Sequence, residues 1–149
     1  MTDFIRVDPL IGSIYRHPAT KNAQALVWEA EQTAQELQKF IQGDKTRIRD
    51  FGTALRHMRR TLLQAADLYE VVFQIIPHTQ PRTRSLIATE WVWTLCRAGR
   101  EGEAQGAAKK LLGLSGLTQG AQKTLTTIQM LGLRAVPIER QELWQVHRP

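Results

Sequence analysis

The chain contains few residues of the types that carry out catalysis, and their spacing does not favour it. Cys96 is the single cysteine, and it lies in an apolar stretch without a neighbouring base. The four histidines lack the spacing typical of metal ligands: His17, His57, His78 and His147. We therefore predict that the protein is not an enzyme and has no catalytic residue, metal site or cofactor.

A second set of side chains suits contact with nucleic acid. Residues 107–133 predict a short helix, a polar turn and a second amphipathic helix from about 118 to 131. The inward face of the second helix is apolar: Ala121, Leu125 and Ile128. Its outward face and its flanks carry side chains that hydrogen-bond to bases or phosphates: Gln119, Gln122, Lys123, Thr126, Arg134 and Arg140. These six are our candidate DNA-binding residues.

Basic residues elsewhere are candidates for phosphate contacts: Lys109, Lys110, Arg49, Arg56 and Arg60. The three arginines share one face of a predicted long helix. That face is otherwise explained as an ordinary solvated surface, balanced by acidic residues such as Asp44 and Asp50. We favour the solvated surface for the arginines.

The overall charge favours polyanionic partners. The 149 residues include 20 Lys and Arg against 14 Asp and Glu, a net charge of +6. Residues 81–149 hold 10 basic and 5 acidic side chains, whereas residues 1–80 hold 10 and 9. The excess therefore lies in the half that contains the candidate DNA-binding helix. Nucleic acid, an acidic protein and an anionic membrane surface all fit such a balance.

The remaining composition indicates a folded protein of the cytoplasm. Hydrophobic residues make up 42% of the chain, enough for a core. No signal-like N-terminus and no apolar run long enough to span a bilayer are present in the sequence. A single cysteine suits a reducing compartment. We therefore expect a cytoplasmic protein without a membrane partner.

The elements that must position these residues are helices. We expect an irregular lead-in over residues 1–20 and a helical hairpin over 21–77. Its first helix ends at Gly43, and its second runs from about 45 to 76 with Asp44 as N-cap. The second helix carries a heptad-like repeat: Ile48, Phe51, Leu55, Met58, Leu62, Ala65, Tyr69, Val72 and Ile76. This repeat predicts a coiled-coil-like hairpin or a homodimer formed through residues 48–76.

Residues 82–149 predict a helix-turn-helix unit. A helix over about 83–98 is apolar nearly all round and therefore buried, and a second helix spans about 103–112. Residues 133–138 and 142–147 predict two short strands around a turn at 139–141. The fold class is thus mainly α, with a long N-terminal hairpin and a C-terminal unit that carries a small two-stranded wing if those strands form.

The apolar positions of this unit form a pattern that ends in Gly-Leu: Ala108, Leu111, Leu114, Ser115, Ala121, Leu125, Ile128, Gly132 and Leu133. In this pattern residues 83–148 resemble the winged-helix family of DNA-binding domains. The resemblance implies that the second helix of the motif enters the major groove. It places Gln119, Gln122, Lys123 and Thr126 on that helix, and Arg134 and Arg140 in the wing. The chain departs from the family in its longer turn and its single basic residue on the recognition helix.

The same region is similar to a second family. Trp91, Leu95, Gly99, Ala104 and the run 108–112 resemble one tetratricopeptide unit, a helix pair that binds other proteins. A single unit is visible, whereas a solenoid needs about three. A helical bundle without a recognition helix is the third alternative.

We therefore expect a DNA-binding regulator or accessory protein that uses a helix-turn-helix. The alternative is a helical module for protein–protein interaction, acting as an adaptor or in assembly, without DNA binding. Strands at 133–138 and 142–147 would favour the first, and a further helix there would favour the second.

Overall fold

The fold is built from helices whose ends coincide with prolines, glycines and capping side chains. The computed structural model describes residues 10–146, and within that range there is no strand. The elements are α1 Leu10–Arg16, α2 Pro18–Ile41, α3 Phe51–Ile75, α4 Pro81–Arg97, α5 Glu101–Leu112, α6 Gln119–Leu131, a 3₁₀ turn Gly132–Ala135, and α7 Ile138–Val146. The prediction of a mainly α protein is confirmed.

Two glycines end α2 and α4 in the same way. Gly43 has φ +79° and Gly99 has φ +75°, a backbone conformation that side chains with a Cβ rarely adopt. The residue after each glycine donates its amide hydrogen to a carbonyl five residues back, Asp44 to Lys39 and Arg100 to Leu95. This pairing satisfies carbonyls that a helix end otherwise leaves free. The predicted C-cap at Gly43 is confirmed.

Helices α2, α3 and α4 pack side by side, each antiparallel to the next. The heptad positions from Leu55 onward are all buried: Leu55, Met58, Leu62, Ala65, Tyr69, Val72 and Ile76. They pack against α2 on one side and α4 on the other. The apolar repeat from Leu55 onward is therefore buried within one chain, and the homodimer through residues 48–76 stays a prediction.

The apolar interior forms two clusters at opposite ends of α3. The larger cluster joins the C-terminal half of α3 to α4, α5 and α6. The smaller cluster joins the N-terminal half of α3 to the C-terminal half of α2 and to α7. Helix α3 passes through both clusters, so it connects the hairpin to the C-terminal unit.

The first two helices correct our prediction of an irregular lead-in. The lead-in is helical rather than irregular over residues 10–20, because Pro18 occupies the first turn of α2, where a missing amide hydrogen costs nothing. The His17 Nδ1 accepts a hydrogen bond from the Ala19 amide at 3.1 Å and caps that turn. Residues 1–9 lie outside the described part of the chain.

Helix α3 begins at Phe51 rather than near residue 45, and Asp50 rather than Asp44 is its N-cap residue. Residues 44–50 instead form a loop held by Thr46, whose hydroxyl donates to the Glu36 carboxylate at 3.0 Å and accepts from the Ile48 amide at 3.2 Å. A hydrogen bond from the Thr53 hydroxyl lowers the pKa of the exposed Asp50 carboxyl.

The predicted wing is wrong. Gly132–Ala135 is a 3₁₀ turn, and Ile138–Val146 is helix α7, where two strands were expected. Pro137 precedes this helix, a place that suits proline, and Leu143 and Trp144 are buried in the smaller cluster. Burial of these two side chains therefore favours a helix over an exposed hairpin. His147 lies outside the described residues.

Trp144 packs α7 against the C-terminal end of α4. Its indole Nε1 donates to the Arg97 carbonyl at 3.1 Å, and its ring lies against Gly99. The Arg59 guanidinium stacks over the ring at 4.7 Å from the centroid, and its Nε donates to the Ala98 carbonyl at 3.2 Å. We call Arg59, Gly99 and Trp144 the α4 clasp.

We expect Gly99→Ala to cost more stability than Gly43→Ala. Both glycines have a positive φ, which would strain an alanine. A Cβ at Gly99 would in addition lie 2.7 Å from the Trp144 ring, whereas a Cβ at Gly43 would meet nothing within 4 Å. The free energy of unfolding should fall by about 1 kcal/mol in Gly43→Ala and by about 2–4 kcal/mol in Gly99→Ala. Urea denaturation followed by circular dichroism measures both. Equal losses would show that Trp144 does not pack on this backbone.

Candidate functional site

The outward face of α6 is exposed, as the sequence predicted. Thr118 caps the helix, its hydroxyl accepting from the Ala121 amide at 3.2 Å. Four of the candidate DNA-binding residues lie on this exposed face: Gln119, Gln122, Lys123 and Thr126. Gln122 Nε2 donates to the Leu117 carbonyl at 3.0 Å, and the Thr126 hydroxyl donates to the Gln122 carbonyl at 2.8 Å. Two of the four side chains are therefore tied to local backbone.

The two arginines that were expected in the wing lie in different environments. Arg134 lies exposed in the 3₁₀ turn. Arg140 lies on α7, and its guanidinium binds the Glu31 carboxylate of α2 at 2.6 Å, with 16% of the side chain exposed. Arg140 therefore holds α7 against α2, so its placement in a DNA-contacting wing is wrong.

The candidate phosphate contacts fall on three different surfaces. Lys109 and Lys110 are exposed in the last turn of α5. Arg49 is exposed in the loop before α3, and Arg56 and Arg60 are exposed on the N-terminal half of α3. The exposure of the three arginines fits a solvated face and a phosphate-contacting face equally, so the solvated face stays a prediction.

A groove runs between α3 and α5, with α4 as its floor. Its volume is about 560 Å³. The apolar side chains of its lining come from all three helices and from the turn after α5: Phe73, Trp91, Leu95, Ala107, Leu111 and Leu114. Leu114 is 42% exposed, and Trp91 is half-buried. We call this feature the α3–α5 groove.

The floor of the groove is fixed by an arginine beneath it. The Phe73 and Trp91 rings lie with centroids 6.0 Å apart. The buried Arg84 stacks over the Phe73 ring at 4.3 Å and donates from Nη1 to the Ile76 carbonyl at 2.9 Å, beyond the end of α3. Burial lowers the pKa of this guanidinium, which keeps its charge because the ordinary pKa of arginine is far above neutrality.

The rim of the groove is mainly acidic. Asp67 and Glu70 project from α3, and Glu103 and Lys110 from α5. Arg100 binds the Glu103 carboxylate at 3.1 Å. Within residues 10–146, no ion pair engages Asp67 or Glu70. The α3 side of the rim therefore presents two uncompensated negative charges.

Two further open grooves have similar volumes, so volume does not distinguish the three. A groove of about 550 Å³ between α4 and α6 is lined largely by hydroxyl groups, with Arg82 and Leu86. A groove of about 570 Å³ between α2 and α3 is lined mainly by polar side chains, with Leu26 and Leu68. The α3–α5 groove differs from both in having aromatic side chains, Phe73 and Trp91, in its lining, and aromatic residues are common in binding sites.

Side chains that bind metals do not cluster in the described range. Across residues 10–146, no three His, Cys, Asp or Glu side chains come together as metal ligands. Cys96 is fully buried on α4, and burial, followed by the negative charge of Glu101, raises the pKa of its thiol to about 11. Among the described helices, none combines the length and apolar character needed to cross a membrane.

Sequence reasoning missed the α3–α5 groove because it needed the packing of three helices. Trp91 was expected in a buried helix, and it packs against the buried cluster while part of its ring faces the groove. One available signal was the pair Asp67 and Glu70, three residues apart beside the heptad face of α3. Comparison with models of protein families, with curated proteins and with solved structures found no match for this chain.

We expect Cys96 to resist alkylation in the folded protein. With a pKa of about 11 against an ordinary value of 9.0, its thiolate fraction at pH 8 is about a hundredfold lower than in the unfolded chain. The rate of iodoacetamide labelling, followed by mass spectrometry with and without urea, measures the difference. Native and denatured rates within about tenfold of each other would contradict the burial of this thiol.

Proposed function

We propose that the protein is a helical module for protein–protein interaction, and that the α3–α5 groove receives a segment of the partner. The observation that carries the proposal is a groove between two helices that leaves apolar side chains partly open to solvent, with Trp91 half-buried and Leu114 42% exposed. Aromatic and aliphatic side chains in a concave site are typical anchors of protein interfaces.

The surrounding fold supports a binding role for this groove. Helix α4 forms the floor and is held at its C-terminal end by the α4 clasp. Phe73 is fixed from below by Arg84. A floor with little freedom loses little conformational entropy when a partner binds, and such preorganisation increases affinity.

Residues 138–146 also favour this function over the winged-helix alternative. They form helix α7, where a wing would need strands. Helix α7 returns to α2 through the Arg140–Glu31 pair and through Gln38, which donates to Glu142 at 3.3 Å. This closes the described helices into a bundle, and the α3–α5 groove is one of its open concave surfaces.

Two glycines of α5 allow a matched test. Gly106 lines the groove and Gly102 does not, and a Cβ at either would meet nothing within 4 Å. We expect Gly106→Trp to fill the groove and abolish capture of the partner, whereas Gly102→Trp retains it, because both variants keep the helix intact. The measurement is a pull-down from nuclease-treated lysate with the wild type and both variants, quantified by mass spectrometry.

Circular dichroism and thermal unfolding of both variants establish that they fold equally. A specific partner that is lost with Gly106→Trp and kept with Gly102→Trp supports the groove. Equal recovery of every protein with both variants would contradict the proposed function.

A second candidate function is DNA binding through α6. It is favoured by the exposed polar face of that helix and by the basic excess in residues 81–149. Lys109 and Lys110 lie exposed in the last turn of α5, the helix that precedes α6. Such a surface would act mainly through phosphate contacts, and binding would weaken steeply with salt.

If α6 binds DNA, Lys123→Ala should weaken binding, since Lys123 is the single basic side chain of that helix. Loss of one phosphate contact should reduce affinity a few-fold. It should also reduce the slope of log affinity against log salt concentration by about one. Gel-shift titration at low and moderate salt measures both, with Lys21→Ala on α2 as the control. The absence of a shift at micromolar wild-type protein in low salt would exclude this function.

A further inference from the structure

The rim charges allow the partner of the α3–α5 groove to be described more closely. We infer that the groove binds a basic amphipathic helix, whose apolar face covers Trp91 and Leu114 and whose lysines or arginines reach Asp67 and Glu70. This inference rests on the proposed function, and it adds the chemistry of the partner.

The first argument is charge. The chain has a net charge of +6, yet the α3 side of the groove carries two carboxylates that no basic side chain within residues 10–146 neutralises. Charges that flank an apolar interface act chiefly in selecting partners of opposite sign and in suppressing others. Asp67 and Glu70 therefore favour a basic segment at the α3 side of the groove, whereas Lys110 lines the opposite wall.

The second argument is shape. Asp67, Glu70 and Gln74 follow a three- and four-residue spacing along one wall, and Glu103, Gly106 and Lys110 do so along the other. Each wall is therefore one face of a helix, and the apolar floor lies between them. An amphipathic helix placed in such a trough buries its apolar stripe and leaves charged residues facing both rims.

The third argument concerns Gly106. It lies inside helix α5, where glycine weakens the helix relative to alanine, and no neighbouring atom would obstruct a Cβ there. Gly102 is equally open but lies outside the groove, so what bears on binding is the position of Gly106 in the groove wall. A missing side chain in the groove wall allows the close approach of another backbone.

The experiment uses the full chain and three synthetic helical peptides of about fourteen residues, long enough to form about four turns. All three have the same leucine face, and their other face is lysine, glutamine or glutamate. Amide chemical shifts of ¹⁵N-labelled protein are followed during titration. We expect the lysine peptide to shift the Gly106 amide and its neighbours on α5, while the Gly102 amide moves less.

Charge reversal at the rim tests the cause. Glu70→Lys should weaken binding of the lysine peptide by about five- to tenfold, because attraction is replaced by repulsion. Glu139→Lys is the matched control, since Glu139 is also an exposed helical glutamate but lies on α7, outside the groove. The control should bind the lysine peptide as the wild type does.

The outcomes separate this inference from the proposed function. All three peptides could bind at Gly106 with equal affinity. That result would support the groove as an interaction site but overturn the inference that its partner is basic. An equal effect of Glu70→Lys and Glu139→Lys would also overturn it. If none of the three peptides shifts groove amides at millimolar concentration, both the inference and the proposed function fail.

Discussion

The α4 clasp is the interaction on which the rest of the structure depends. Helix α4 ends with carbonyls that have no partner in the helix, and two of them, at Arg97 and Ala98, accept hydrogen bonds from Trp144 and Arg59. Gly99 makes this possible, because its missing Cβ leaves room for the Trp144 ring. The clasp thereby joins three elements that are far apart in sequence, and it holds the helix that forms the floor of the α3–α5 groove.

A second arginine repeats the same device at the other end of the molecule. Arg84 donates to the Ile76 carbonyl just after α3 and stacks on Phe73, as Arg59 does at the end of α4 with Trp144. A cation at a helix C-terminus is favoured by the helix dipole, and the long side chain covers apolar surface at the same time. Both arginines are therefore structural, and the net charge overstates the charge available to a polyanionic partner.

Features set by neighbouring residues could be predicted from the sequence, whereas those set by distant contacts could not. The bounds of α5 and α6 were predicted to within about two residues, because Thr118 and the glycines act within one helical turn. The start of α3 was misplaced since the apolar repeat continues back to Ile48, although Thr46 holds that segment as a loop. Residues 133–147 were predicted as two short strands around a turn. The packing of Trp144 in the smaller cluster and its hydrogen bond to Arg97 instead decide that residues 138–146 are helical.

The sequence by itself determined a mainly helical chain, its long heptad-bearing helix, the glycine caps and the exposed polar face of α6. These follow from periodicity and from hydrogen bonds between residues a few positions apart. Tertiary structure alone decided that the heptad face is buried within one chain, that Arg140 pairs with Glu31, and that α3, α4 and α5 enclose a groove. The physical reason is that burial and charge pairing depend on which surfaces meet, and residues such as Glu31 and Arg140, 109 positions apart, meet only in the folded chain.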